Sequence, residues 1–397
     1  MTSAVGRTIG VRGGRWRGLV DDHGTLHPDP SGTDRGAPLA WHVAGDDRWY
    51  SPATEPTVRQ KWYSGYPVCE TRMRVGSGDI VARIWCVADH GGWAVLEFEN
   101  ETPATVAVAL TRSDIATARP MAPNPPQGID LPSGSVVLPL GHRATLRVGL
   151  APAGAGAVLP QDLAGHQQVV RGWETACDVA SRLVLADHTV VAGICRARSD
   201  LLLGSPDSSP LAAIERVRLG ERGDGAVLQV VDAAQSVISA EKRAKRLGWR
   251  TPHLLAHAAH ACVLLDEELA AGDISRAWLR LADTAVEEPP VVVPPGLDAV
   301  CWAESLLARP VASGGQCTVL PHGIPETWWG TNFEAHGLVA DPHRTLSYAV
   351  RWHGARPAIL WEVSGAAGLV LSGGSADPEW HSVDPSGEAL LAAPVRA

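Results

Sequence analysis

Lysine is almost absent: Lys61, Lys242 and Lys245 are three of the 34 basic residues, and arginine supplies the rest. Phenylalanine occurs twice and tyrosine four times. That skew, beside abundant Ala, Gly, Pro, Val and Arg, follows codon choice in a GC-rich genome and carries no mechanism. Charged residues are 19% of the chain, against roughly 25% in typical soluble domains. No apolar run approaches the roughly 20 residues that a membrane helix needs, so no membrane association is expected. The first twenty residues, MTSAVGRTIGVRGGRWRGLV, contain arginines but no apolar core of signal-peptide length, which points to the cytoplasm. The 34 basic residues face 43 acidic ones, and a net charge of -9 leaves no nucleic-acid footprint.

Motif absences exclude more. There is no P-loop, no strand-linked dinucleotide-binding glycine pattern and no Gly-x-Ser-x-Gly, so neither a nucleotide nor any other cofactor is expected. The seven cysteines (Cys69, Cys86, Cys177, Cys195, Cys262, Cys301 and Cys317) are odd in number and scattered. None forms a CxxC pair or stands at metal-ligand spacing from another, so they read as reduced, mostly buried, small apolar residues. Asn100-Glu101-Thr102 would accept a glycan only in a secretory setting and is set aside.

What is present begins with 397 residues, a length that allows roughly two to three domains, and a 45% hydrophobic content that excludes a wholly disordered chain. Fifteen of the twenty-one aromatics are tryptophan. An indole offers a large flat apolar face and a single N–H donor, so it suits a core, a stacking platform or an interface. With phenylalanine so scarce, most of the fifteen are expected in the core.

Residues 1–152 read as β. In Cys69–Val75, CETRMRV, residues Cys69, Thr71, Met73 and Val75 alternate with Glu70, Arg72 and Arg74, which predicts one inward and one wet face. Ile80–Val87 follows the turn Gly76-Ser77-Gly78-Asp79, a hairpin signal. Trp93–Glu99 and Thr105–Leu110 flank a turn at Asn100-Glu101-Thr102-Pro103, and Ala144–Leu150 alternates again. Short strands at this spacing predict an antiparallel β-sandwich. Arg119–Gly128, RPMAPNPPQG, is too rich in proline for a regular element and reads as a surface loop. From 153 to 288 the apolar period becomes helical, with a helix over Gln161–Leu185, a Ser209-Pro210 start, a helix over Ala226–Leu247, and an αα-hairpin of His253–Ala271 and Ile274–Val286 broken at Gly272-Asp273. The prolines of Glu287–Asp298 end the helical part. Residues 289–397 read as β-rich, with a hairpin of Leu346–Trp352 and Ala358–Val363. The expected class is therefore α+β multidomain: sandwich, helical middle segment and β-rich C-terminal domain.

The densest polar-aromatic segment is Leu320–Leu338, LPHGIPETWWGTNFEAHGL. Glu326 and Glu334 are a pair of carboxylates that could serve as acid and base in glycoside hydrolysis. Trp328 and Trp329 would be flat platforms for sugar rings, with Asn332 and His322 as further substrate contacts. The competing reading is a loop that packs its tryptophans inward and leaves the glutamates solvated. The turn KWYSGYP, with Trp62, Tyr63 and Tyr66, is a second candidate for stacking if exposed. His253, His257 and His260 fall on one helix face at spacings of four and three. Without HExxH that face reads as polar packing against another domain or copy rather than a metal site, and no metal is expected. Lys242–Arg246 reads as a solvated helix end.

The strand–Asn–turn–Pro–strand pattern VLEFENETPATVAVAL resembles the sandwich domains that precede helical barrels in (α/α)-barrel glycoside hydrolases. RWHGARPAILWE and DPEWHSVDPSGEALL resemble the β appendages of the same enzymes, and the whole chain is similar to actinobacterial proteins of β–α–β layout. The resemblance implies a carbohydrate-associated function, either glycan binding or glycosidase-like hydrolysis, with an oligosaccharide as the partner molecule. It carries no catalytic motif residue by residue. A barrel of twelve helices, at about 11 to 12 residues each, also exceeds the helical stretch available here, which implies a remnant or a small bundle. The alternative class is a non-enzymatic assembly factor that uses its tryptophans for a protein partner or for self-association.

Overall fold

The computed structural model describes residues 6–14, 16–28, 36–45, 48–119, 121, 127–151 and 158–394. Most of the proline-rich 119–128 stretch and the Ala/Gly boundary at 152–157 lie outside them. The chain has mixed α+β content, with helices in mid-chain and a β-rich C-terminal part. It divides into two compact units: residues 1–174 with 202–204, and residues 175–201 with 205–397. No helix among the described residues is long and apolar enough to cross a membrane.

The first unit holds β1 (Gly6–Gly10), β2 (Arg17–Asp21), β3 (Leu26–Pro28), β4 (Trp41–Ala44), β5 (Trp49–Tyr50), β6 (Arg59–Trp62), β7 (Cys69–Val75), β8 (Gly78–Val87), β9 (Trp93–Asn100), β10 (Val106–Leu110), β11 (Ala116–Thr117), β12 (Val136–Leu140) and β13 (Thr145–Leu150). They form antiparallel sheets ordered β1-β2-β3, β12-β10-β4-β5 and β11-β13-β9-β8-β7-β6. The period-two pattern of β7 places Cys69, Thr71, Met73 and Val75 inside, and all four are buried. The hairpin to β8 closes on Val75↔Gly78, with Gly76 at φ +55, a left-handed backbone that glycine adopts freely. The turn at 100–103 does not join paired strands; it carries the chain from the six-stranded sheet to the four-stranded one. Asn100, buried there, donates from Nδ2 to the carbonyls of Ala104 (2.8 Å), Leu140 and Gly141, and accepts from Thr102 N–H. One continuous core draws on all three sheets, with Trp41 edge-on to Phe98 at 5.5 Å. A smaller apolar cluster on the other face of the six-stranded sheet joins Trp85, Trp93 and Val95 to Leu159 and Leu163.

Helix α1 (His166–Asp178) ends within the second unit, followed by β14 (Arg182–Val184), α2 (His188–Leu202), α3 (Pro210–Arg218), α4 (Ala226–Glu241), α5 (Thr251–Leu264), α6 (Glu268–Leu279) and α7 (Asp298–Leu307). Strands β15 (Ala308–Pro310), β16 (Gln316–Val319), β17 (Phe333–Asp341), β18 (Arg344–His353), β19 (Arg356–Gly365), β20 (Val370–Gly373), β21 (Asp377–Ser382) and β22 (Ser386–Leu390) complete it. The sheets are ordered β14-β17-β18-β19-β22 and β15-β16-β20-β21, and β16 with β20 is a parallel pair. The β18–β19 hairpin pairs without interruption from Arg344↔Gly365 to His353↔Arg356.

Three element readings are corrected. The helix expected over Gln161–Leu185 is shorter, because Arg182–Val184 pairs with Glu334–His336 as an edge strand. The αα-hairpin breaks at Leu265–Glu267, not at Gly272. Asp266 takes φ +61 and its N–H caps Val263 O at 3.0 Å, while Gly272 sits inside α6 at only its helix-propensity cost. The part beyond 289 opens with a helix, α7, which the preceding prolines had masked. Helix α5 is the centre of this unit. It touches α3, α4, α6, α7, β15 and β17, so nearly every residue from Thr251 to Cys262 is buried, and it has no wet stripe of the usual kind.

Candidate functional site

The Leu320–Leu338 segment runs from the end of β16 into β17, through a short turn at Glu326–Trp328. Trp328 is only 3% exposed and lies edge-on to Phe333 at 5.2 Å, which in turn meets Tyr348. Trp329 is half-buried and its Nε1–H donates to Ile324 O at 2.9 Å. His322 and Glu326 are exposed. Asn332, also exposed, accepts Trp352 N–H through Oδ1 at 3.1 Å. Glu334 lies on β17, where Arg351 binds one carboxylate oxygen and His336 lies 3.0 Å from the other. Arg351, and then His336, hold the Glu334 carboxyl below its ordinary value. The structure thus brings Glu334, His336 and Arg351 together, and no described contact joins Glu326 to Glu334. Because Trp328 turns inward, the faces of its ring are not open to a ligand.

The KWYSGYP turn is likewise less open than its composition suggests. Tyr66 is buried, and the Arg7 guanidinium donates to Gly65 O at 2.5 Å and lies 4.7 Å from the Trp62 ring. Tyr63 OH donates to Glu70 at 2.5 Å.

All three helix histidines point inward. His253 Nε2 donates to Ala308 O at 2.7 Å, and His260 Nδ1 donates to Pro342 O at 2.8 Å. His257 Nδ1 accepts from Arg218 at 3.4 Å, so its Nε2 carries the proton and lies 3.0 Å from Glu304 Oε2, off the angle of a hydrogen bond. Burial pushes His253 and His260 down to about 4 and lowers His257 as well. Among the described residues no group of three His, Cys, Asp or Glu side chains is arranged to hold a metal ion. The face is polar packing, but its partners lie within the same unit and not in another domain or copy as expected.

His257 belongs to a sealed ionic network that spacing alone did not reveal. Arg198 Nε donates to Glu215 Oε1 at 2.8 Å, and Arg218 donates to Glu215 Oε2 at 2.7 Å and to Glu304 Oε1 at 2.9 Å. Arg198 also reaches Ser181 O (2.5 Å) and Ser181 Oγ (2.7 Å), and Ser181 donates to Glu304 at 2.6 Å. Both arginines and both glutamates are buried. Burial alone would raise the Glu304 and Glu215 carboxyls, but the guanidinium charges outweigh it and hold both low. The signal was available: Arg198 lies four residues after Ile194 and three before Leu201, a place in the apolar stripe where an unpaired charge would be costly.

An open hollow of about 330 Å³ lies where α3, α5 and α7 begin and α4 ends. Trp249, Glu241, Arg250, Glu287, Asp298 and the hydroxyl residues Ser209 and Ser236 contribute to its wall. Glu241 Oε1 accepts Thr251 Oγ at 2.9 Å and Gly248 N–H at 3.2 Å, which fixes the start of α5. Arg250 donates to both Asp298 oxygens at 2.7 Å and lies 5.7 Å from the Trp249 ring. Leu247, just before Gly248 of this wall, bridges to the chain at 285–287 through Leu247 N–H to Ala285 O and Glu287 N–H to Leu247 O. Half-buried Trp249, in the sequence Gly-Trp-Arg-Thr-Pro just before a helix start, was not singled out by pattern. Comparison with protein-family models and with curated proteins gives no match for this chain.

Proposed function

We propose that this chain is a cytoplasmic, carbohydrate-associated protein that binds a glycan without hydrolysing it, and that the hollow beside Trp249 is the seat. The observation that carries the reading is the combination in one open hollow of an indole ring, two serine hydroxyl residues and carboxylates held by neighbours. A sugar ring needs an apolar face for its C–H side and fixed donors and acceptors for its hydroxyls. Hydrolysis would need a second carboxylate across the substrate from the first. In this hollow Glu241 accepts from Thr251 and Gly248 and Asp298 is bound by Arg250, and that favours binding over turnover. The same reading takes the N-terminal sheets as a β-sandwich and the chain as three parts, 1–152, 153–288 and 289–397.

A second reading, docking of a protein partner or a second copy, is favoured by one feature. Leu228 on α4 and Leu269 and Leu279 on α6 stand 68%, 83% and 51% exposed, and the same two helices border a groove of about 320 Å³. The experiment that separates the readings is a thermal-shift and glycan-array screen of the wild type, Trp249→Ala and Trp329→Ala. A ligand at a hundredfold its Kd stabilises the folded chain by about 2.7 kcal/mol through mass action. The expected outcome is a glycan that stabilises wild type and Trp329→Ala but not Trp249→Ala. Loss with Trp329→Ala alone moves the seat to the 320–338 segment, and no glycan response in the wild type ends the carbohydrate reading.

A further inference from the structure

Charge in the hollow beside Trp249 limits what can occupy it. Among the ionised side chains of its wall, Glu241, Glu287 and Asp298 are acidic and Arg250 alone is basic. Arg250 is fully engaged by Asp298, donating to both carboxylate oxygens at 2.7 Å. Glu241 is held by neutral donors: Thr251 Oγ and Gly248 N–H reach its Oε1 at 2.9 and 3.2 Å. Glu287 is exposed, and its carboxylate meets no partner among the described residues. The basic residues Lys242, Arg243, Lys245 and Arg246 lie outside the lining. Arg246 donates to Val286 O at 3.4 Å and makes no ion pair with Glu287.

The starts of α3, α5 and α7 add a positive field to this place, about half an elementary charge each. Counted in full, that field still does not cancel two carboxylates without a cation. Ser209 Oγ already takes up one of those helix N–H groups, at Ala212. The indole acts in the same sense as the carboxylates, because the face of a tryptophan ring attracts a cation.

On the reading that a glycan occupies this hollow, we propose that it is an amino sugar with a free, protonated amine. Its ammonium group is met by Glu287 while its ring lies on Trp249. A uronic acid or a sulphated sugar would bring further negative charge to carboxylates that have no cation beside them. An N-acetylated sugar is neutral and gains nothing from Glu287.

The test is calorimetric titration of the intact chain, in mildly acidic buffer of low salt, with three β-1,4-linked tetramers. They are the glucosamine tetramer, its fully N-acetylated form and cellotetraose. The glucosamine tetramer is expected to bind about tenfold more tightly than either neutral tetramer, the worth of one charge-assisted hydrogen bond. Glu287→Gln should remove that margin and leave cellotetraose binding unchanged. Glu388→Gln deletes an exposed carboxylate on β22, outside the hollow, and should keep the margin. An equal fall in both variants would mean a general attraction to an acidic chain and would overturn the site. All three tetramers bound alike, and lost together in Trp249→Ala, would overturn the amine and leave the glycan reading standing. A neutral tetramer bound most tightly, or a margin that survives Glu287→Gln, would also overturn it. Silence from all three removes the amino sugar, and the glycan array then decides the broader reading by itself.

Discussion

Each unit contains a chain of alternating charges, but the two chains are in different surroundings. In the first unit Lys61, Glu70, Arg83, Glu97 and Arg147 oppose one another in register across β6, β7, β8, β9 and β13. The ladder is wet at its ends and dry at its centre: the Lys61 side chain is 59% exposed, Glu70 only 1%. In the second unit Arg198, Glu215, Arg218 and Glu304 are buried throughout and tie α2, α3 and α7 to the segment after α1. Cross-strand pairs in water contribute tenths of a kcal/mol each and tolerate the loss of a member. Sealed pairs gain little over a hydrophobic replacement, yet become a large liability when one partner is removed. The wet end of the ladder at Lys61 therefore decorates a sheet that the core already holds together, whereas the network is a condition for its helices to meet.

The largest expected difference comes from removing one charge of the network. Glu304→Gln keeps the shape but leaves Arg218 with half its compensation, and about 3–5 kcal/mol should be lost in urea unfolding. A loss below about 1 kcal/mol would mean that the network is solvated in solution, and the contrast between units would collapse.

Acidification sharpens the same contrast at a smaller scale. His253 and His260 sit at about 4 in the folded chain against an ordinary 6.5, so the unfolded chain binds more protons between those values. Stability from these sites is complete above about pH 6.5 and falls as the pH drops toward 4. Glu70 behaves differently. Burial would raise its carboxyl, but hydrogen bonds from Tyr63, Arg72, Lys61 and Arg83 bring it to about 2 from an ordinary 4.5. Its contribution is present above about 4.5 and is lost only as the pH falls from there toward 2. His42 and His166 in the first unit are also lowered, so the contrast is one of degree. Urea midpoints between pH 7 and 5 should fall, and His253→Gln should flatten that fall. An unchanged slope in the variant would remove His253 from the account.

Periodicity made much of the architecture legible. The alternation of CETRMRV marked the buried face of β7, and the apolar and turn residues of 346–363 marked the β18–β19 hairpin. Each of these depends only on neighbours along the chain. Glu70 was read as a wet residue because alternation assigns a face and does not reveal that Tyr63 and Arg83 close over it. Trp328 and Trp329 look identical in sequence, yet one ring packs on Phe333 and the other is only half covered. That difference is set by β17 and β18, which lie downstream and pair by tertiary contact. The Trp249 hollow depends on three helix starts separated by nearly ninety positions (210 to 298), and no local window contains them. A charge at an apolar-stripe position, Arg198, is a signal that spacing does supply, whereas Glu304 lies in α7, which the prolines before it mask.

The smallest effect belongs at the rim of the ladder's own face. Arg59 on β6 donates to Asp79 Oδ2 at 2.7 Å, with its side chain 66% exposed. The geometry is as short as that of the sealed pairs, so distance alone predicts an equal contribution. Water argues otherwise. An exposed guanidinium regains its hydration when the pair breaks, and Arg74 remains within 3.5 Å of the same carboxylate. Arg59→Ala should therefore cost less than about 1 kcal/mol, and the cost should shrink further near 1 M salt, where the screening length is about 3 Å. Glu304→Gln measured in the same salt should keep nearly all of its effect, because ions do not enter the network. If both variants respond alike to salt, it is burial rather than bond length that has been misjudged, and the ladder and the network would belong to one class.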